Sequence, residues 1–248
     1  MIRSAIKIFF QHKRQAIKKH EKIILPDTFR GVPILISKNL DAKKLDQARQ
    51  LCPTNALVDR EFALDMGRCI FCGECQNVLP DNIKFTNNWK SWSFKRNALV
   101  VRADKKFTRP IPEQTLPIFK HAIKLRSISA GGDNSTEMEL NATGNVNFDA
   151  ARFGIEFTAS PRHADAIVLS GPITENMTRE IQITFDAMTN PKFIVVAGTD
   201  AISGGLFEKS PAIDRTFLNK NIPTVYIPGN PPHPLSIIAA IKQLVGQK

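Results

Sequence analysis

The stretch CIFCGECQNVLP, residues 69–80, places three thiols at intervals of three. Cys69, Cys72 and Cys75 are three of the four cysteines in a chain of 248 residues; the fourth, Cys52, precedes Pro53 in LCPTNAL. Disulfides do not need such spacing. The opening run MIRSAIKIFFQHKRQAIKKHEK has neither the long apolar core nor the small-residue cleavage site of a secretion signal, so a reducing compartment is expected. Thiols packed this closely point to ligation of a metal or a metal cluster.

The rest of the composition frames that reading. Hydrophobic residues make up 42% of the chain, and no run of eighteen apolar residues occurs, so packed cores are expected and a membrane-spanning helix is not. Residues 1–120 carry 23 Lys and Arg against 11 Asp and Glu, so the net charge of +11 belongs to the front half. That charge suits nucleic acid, an anionic membrane face or an acidic partner. Residues 1–24 read as an amphipathic helix with Ile2, Ile6, Phe9 and Phe10 along one side. It is either a docking helix with a solvated basic face or a helix lying on anionic lipid. NWKSWSFKR, residues 88–96, mixes aromatic and basic residues. Such a run stacks on single-stranded nucleic acid or, more plainly, forms a partly exposed hairpin or interface loop; no nucleic acid is expected.

Around the cysteines, FALDMGR, KFTNN and NALVVRA read as short strands. TRPIPEQTLP, around residues 108–117, is Pro-rich, lacks periodicity and reads as a linker. Beyond it strands alternate with helices: IKLRSIS, IEFTAS, AIVLSG, KFIVVAG and TVYIPG against STEMELNA, TENMTREIQITFDAM and PLSIIAAIKQLV. That alternation predicts a parallel sheet covered on both faces, with functional loops at the carboxyl ends of its strands. Three loops stand out there: AGGDNSTE, GTDAISGG and GNPPHP. No nucleophile–base constellation, phosphate-binding loop or dinucleotide fingerprint is present.

The thiol spacing matches most of the run C-x2-C-x2-C-x3-C-P that wraps iron–sulfur clusters in bacterial ferredoxins, with Leu79 in the place of the fourth cysteine. In two-cluster ferredoxins that fourth cysteine ligates the other cluster. Cys52, before Pro53, completes the set for Cys69, Cys72 and Cys75. The matching positions for a second cluster, Ala42, Leu45 and Ala48, cannot ligate iron. All four ligands of one cluster are present and all four of the other are missing. One 4Fe-4S cluster is expected, with a structural zinc on the same thiolates as the alternative. FRG…CPTNAL…GRCIFCGEC resembles the ferredoxin-type subunit of membrane-bound, energy-converting nickel–iron hydrogenases and formate hydrogenlyases.

FDAARFGIEFTASPRHADAIVLSGPIT and VYIPGNPPHP resemble the small subunit of nickel–iron hydrogenases, a family that includes the twenty-kilodalton cluster subunit of respiratory complex I. The resemblance implies four cysteines at the strand ends, holding a proximal cluster. This sequence departs from it. Asp133 and Thr136 stand for two of those cysteines in the first loop, Asp200 for the one in the second, and Asn230 for the last. This oxygen-rich set could take Mg2+ or Ca2+, or plug the vacated volume with hydrogen bonds or water; a third reading has Asp133, Asp200 and Glu137 carry protons. Arg162 and His163 match the family but read as structural. His233 could hydrogen-bond inside the vacated pocket.

The expected fold is an α+β ferredoxin-like N-terminal domain followed by an α/β parallel-sheet, flavodoxin-like domain. The expected division is a basic segment 1–27, a one-cluster domain 28–110, a linker 111–119 and a cluster-less domain 120–248. What the resemblance implies is a non-catalytic iron–sulfur subunit of a membrane-associated, complex I-like assembly, a structural connector with a broken electron relay. Its partners would be a protein like the hydrogenase large subunit, or its complex I counterpart the forty-nine-kilodalton subunit, and membrane subunits. Its place would be peripheral, on the cytoplasmic side of the inner membrane. The alternative is a soluble single-cluster electron carrier.

Overall fold

A computed structural model describes residues 2–13, 15–58, 61–110, 112, 117–119 and 121–247. Most of the expected linker, 111–119, lies outside the described residues.

Helix α1 spans Ile2–His12. It is half the length the amphipathic pattern suggests, and Lys13, at φ 51°, turns the chain into the left-handed region that ends a helix. Ile6, Ile8, Phe9 and Phe10 are all exposed. The chain then runs irregularly to a single 3-10 turn at His20–Lys22.

Residues 28–110 form two antiparallel ribbons and two helices. Strand β1 (Pro33–Leu35) pairs with β3 (Ile83–Phe85), and β2 (Ala63–Asp65) with β4 (Val100–Arg102). Helix α2 (Ala42–Leu51) starts at Asp41, whose carboxylate accepts from the Lys43 and Lys44 amides and so satisfies free N–H groups of the first turn. It packs on α3 (Glu74–Val78). Leu45 and Ala48 on α2 are buried in one core with Leu79. Apolar packing thus occupies three of the four positions where a second cluster's ligands would stand; Ala42 is exposed.

The second half is one five-stranded parallel sheet. Its strands are β5 (Ile123–Ser129), β6 (Ile155–Phe157), β7 (Ala166–Ser170), β8 (Phe193–Ala197) and β9 (Val225–Ile227), in the order β6-β5-β7-β8-β9. Strands β7 and β9 are buried at every position, as continuous apolar runs in a sheet covered on both faces require. The covering helices are α4 (Ser135–Ala142), α5 (Glu175–Asp186), α6 (Thr199–Ser203), α7 (Thr216–Lys220) and α8 (Pro234–Leu244). This is the flavodoxin-like order, with its switch point between β5 and β7.

The two halves share their cores. One core joins Val32, Met66 and Leu99 to Ile167, Val196 and Phe217. The other joins Trp89 and Trp92 to Leu125, Val168 and Ile238. The loop 88–96, expected as a partly exposed hairpin or interface loop, is instead packed into the chain's own core. Its two indoles are buried and stacked 6.2 Å apart. Ser93 exchanges both backbone hydrogen bonds with Tyr226 (2.9 and 2.8 Å), which covers the β9 edge of the sheet. Two ion pairs flank the junction: Arg96 forks onto Asp65 with two bonds of 2.7 Å, and Arg68 pairs with Glu208 of the second half. Gly67 sits between Arg96 and Ile202, where an added Cβ would come within 2.7 Å of the guanidinium carbon.

Candidate functional site: a thiol cavity beside the strand-end loops

All four cysteines line one enclosed, largely apolar cavity, together with Pro53, Leu57, Leu64, Ile70 and Phe85. Cys52 is the residue after α2, its amide bonded back to the Arg49 carbonyl at 3.2 Å. Cys69 follows β2. Phe71 (φ 55°) and Gly73 (φ 89°), both left-handed, coil the intervening loop so that Cys72 and then Cys75, in the first turn of α3, come round to the same space. Arg30 holds the coil from outside, its Nε donating to the Phe71 carbonyl at 2.6 Å.

Backbone amides are aimed at two of the sulfurs. Ala56 N–H donates to Cys52 Sγ (3.2 Å) and Phe71 N–H to Cys69 Sγ (3.3 Å). Burial pushes the Cys75 thiol up to about 12, with Cys52 and Cys72 adding to the shift. Cys69 is raised still more, chiefly by burial, against the pull of the Phe71 amide. Thiols crowded in an apolar space resist ionisation unless positive charge enters with them. Among the described residues, no group of three or more His, Cys, Asp or Glu side chains is arranged to hold a single metal ion. The cavity that the four cysteines line is small, about 10 Å3.

The second and third strand-end loops reach the thiol loop through the Thr199 hydroxyl on the Cys69 carbonyl and through a cleft that Asn230 shares with Cys72. Asp133 accepts from the Ser135 amide (3.0 Å) and hydroxyl (2.6 Å), which holds its carboxyl below the usual range. Thr136 is buried in the first turn of α4, against Gly198, where an added Cβ would stand 2.8 Å from its Oγ1. Asp200 is half-buried, and its pKa is raised by that burial and by the charge of Asp133. Its carboxylate lies over Gly205, which leaves no room there for a Cβ. Asn230 is exposed on the third loop, whose Gly229 carbonyl accepts from the Thr199 amide (2.8 Å). Asp133 and Asp200 are thus brought within electrostatic reach, Thr136 joins them through Gly198, and Asn230 stands at a different wall. It lines a cleft of about 270 Å3 that also takes in Phe71 and Cys72 of the thiol loop. Glu137 accepts from Ser170 Oγ at 2.8 Å, and its other oxygen is buried without a partner.

His233 has a structural task. Its Nδ1 accepts from the Leu235 amide (3.1 Å) as the cap of α8, between the rings of Phe29 and Phe148, and burial lowers its pKa. Arg162 and His163 lie on the surface 3-10 turn Pro161–His163. Thr199 is a residue that motif reading passed over. Its hydroxyl bonds the Cys69 carbonyl, and its one sequence signal is its position in a Gly-Thr-Asp turn after an apolar strand.

The sheet order defines a doubly wound α/β domain, with the first strand-end loop at the switch point. The family model for the NADH ubiquinone oxidoreductase 20 kDa subunit matches residues 134–244. A subunit of the NADH-quinone oxidoreductase of Geotalea daltonii is 37% identical over 108 residues, which is 43% of this chain and 62% of that protein. A probable membrane-bound hydrogenase subunit of Pyrococcus furiosus is 30% identical over 115 residues, 46% of this chain and 68% of that protein. A chain of the membrane-bound sulfane sulfur reductase, an archaeal respiratory membrane complex, superposes with a TM-score of 0.45 at 28% identity, over 52% of this chain and 71% of that one. The chain belongs to the family of the 20 kDa subunit. It spans 62% of the length of the Geotalea daltonii relative, and residues 1–133 fall outside the family match. Among the described residues no helix is long and apolar enough to cross a membrane.

Proposed function

We propose that this chain is an iron–sulfur subunit of a complex I-like, membrane-associated assembly, holding one 4Fe-4S cluster on Cys52, Cys69, Cys72 and Cys75. The observation that carries the reading is the convergence of all four thiols on one apolar cavity, with amides aimed at two sulfurs. The C-x2-C-x2-C run completed by a distant Cys-Pro is the ferredoxin pattern, which favours a cluster over a structural zinc on the same thiolates. A bound cluster supplies one-electron redox chemistry and the positive charge that lets buried thiols ionise. The chain's own contribution is to hold the sulfurs, exclude water and donate N–H bonds to them.

Residues 28–110, with two antiparallel ribbons and two helices, form the ferredoxin-like half, and residues 120–248 the small-subunit-like half. In the second half Asp133, Thr136, Asp200 and Asn230 take the places of thiolates, and the chain has no other cysteine. An electron relay through this family's usual site therefore lacks its ligands. The half serves instead as a structural connector, non-catalytic, between the membrane subunits and a protein like the hydrogenase large subunit or its complex I counterpart. Family membership and the similarity to a membrane-bound hydrogenase subunit support a place in such an assembly; within it we place the chain peripherally, on the cytoplasmic side of the inner membrane.

The test is iron and acid-labile sulfide on anaerobically purified protein, with EPR after dithionite. About four irons per chain and one reducible signal, lost in Cys52→Ser, is the expected result. About eight irons would place a second cluster among the oxygen ligands and overturn the connector reading; zinc without iron would overturn the cluster.

A further inference from the structure

We propose that the cavity walled by His20, Trp89, Lys90, Trp92, Arg109 and Lys242 binds a phosphate ester carrying an apolar body. It measures about 340 Å3, within the range of small-ligand sites, and lies apart from the thiols and the strand-end loops.

His20 forms one wall and is only 4% exposed. Arg152 Nη2 lies 2.8 Å from Nε2. A guanidinium has only N–H to give, so Nε2 accepts and the ring proton sits on Nδ1. That Nδ1 is buried and has no partner. His20 therefore closes the inner wall of the cavity as a ring whose Nδ1 is sealed from solvent. The ring stays neutral there: burial, then the Arg152 charge, lower its pKa to about 4.

The charge of the walls sets the class of ligand. Lys90, Arg109 and Lys242 face a single carboxylate, Glu21. No ion pair among the described residues neutralises any of the three. Instead they lie over rings: Arg109 is 4.3 Å from the Trp92 ring, Lys242 4.3 Å from that of Phe153, and Lys90 5.4 Å from that of Trp89. Ring faces hold cations in place without cancelling their charge. Three cations around one space match the several oxygens of a phosphate better than the two of a carboxylate. The indoles and Ile238 supply a surface for an apolar body.

Trp89 and Trp92 are the two tryptophans of the chain, so indole emission reports on this cavity alone. The anaerobically purified full chain is titrated at constant ionic strength with inorganic phosphate, with glycerol 3-phosphate and with vesicles of phosphatidylglycerol, against phosphatidylcholine vesicles. A saturable change in emission is expected, with affinity falling about tenfold or more in Lys242→Gln and in Arg109→Gln while the unfolding midpoints stay near wild type. Saturation by glycerol 3-phosphate identifies a soluble ester; saturation by phosphatidylglycerol vesicles alone identifies a lipid headgroup. No saturable change with any of the three, or binding that survives both substitutions, overturns the site. Vesicle binding through the exposed face of α1 would survive both. Lys90→Gln gives an independent check should either variant fold poorly.

Discussion

The Thr199 hydroxyl lies 2.7 Å from the carbonyl oxygen of Cys69 and 3.2 Å from that of Gly229. One fully buried side chain therefore ties the thiol loop to the second and third strand-end loops. The two places where this sequence concentrates its chemistry are joined through backbone carbonyls. Thr199→Val keeps the shape and removes the donor. It is expected to lower stability by about 1–3 kcal/mol, while Thr199→Ser keeps most of it. Urea midpoints of the three proteins test this; a Val variant equal to wild type would sink the linkage.

A second prediction concerns Leu79, which stands where a ferredoxin's fourth cysteine would be. It is 2% exposed and packs in the core that also holds Leu45 and Ala48. Restoring the motif with Leu79→Cys supplies a thiol with no companions, since Ala42, Leu45 and Ala48 offer none. Iron per chain should not rise. Stability should fall in both Leu79→Cys and Leu79→Ala, in the latter by about 2–5 kcal/mol as for other buried leucines. A gain of iron in the cysteine variant would contradict the view that packing has replaced a second cluster.

The strands of the second half were legible because each is a short apolar run between turn signals, and β5, β7 and β8 fall where AIVLS and its counterparts stand. The convergence of Cys52 with the other three thiols was legible from the Cys-Pro spacing. The limits were set by long-range packing. The composition of residues 88–96 is the same whether Trp89 and Trp92 face solvent or a core, and only their stacking beneath α8 decides it. The pairing of Ser93 with Tyr226 joins residues far apart in the chain and carries no local signal. The end of α1 turns on the single left-handed residue Lys13, which helical periodicity does not register.

His20 gives a pH prediction. Burial first, and then the charges of Arg152 and Lys242, depress its pKa from 6.5 to about 4, with Glu21 and Asp149 opposing. The unfolded chain takes up a proton near pH 6.5 that the native ring refuses until about pH 4. Stability from this group is therefore complete above pH 6.5 and is lost as the pH falls towards 4. Unfolding midpoints at neutral pH and just above pH 4 should separate less in His20→Gln than in wild type. Equal separation would show that the ring titrates normally in the fold.

Asp200 has the opposite sign. Burial, and then repulsion from Asp133, raise its carboxyl above the ordinary value of 3.8. The native state holds this proton more tightly than the unfolded chain, so its contribution to stability declines as the pH rises through the window above 3.8. Asp200→Asn keeps the shape over Gly205 and removes both the buried charge and the repulsion. The variant should be more stable than wild type at neutral pH, with the gap closing as the pH is lowered towards 3.8. Asp133→Asn is the control, because its carboxylate is held ionised by Ser135 and the substitution weakens those bonds; it should cost stability at neutral pH. If instead Asp200→Asn destabilises at neutral pH, its carboxylate has a partner that repays its burial, such as a cation held between Asp133 and Asp200. Midpoints with and without added Mg2+ and Ca2+ would then distinguish that case, since a bound cation stabilises the wild type and leaves the Asn variant unchanged.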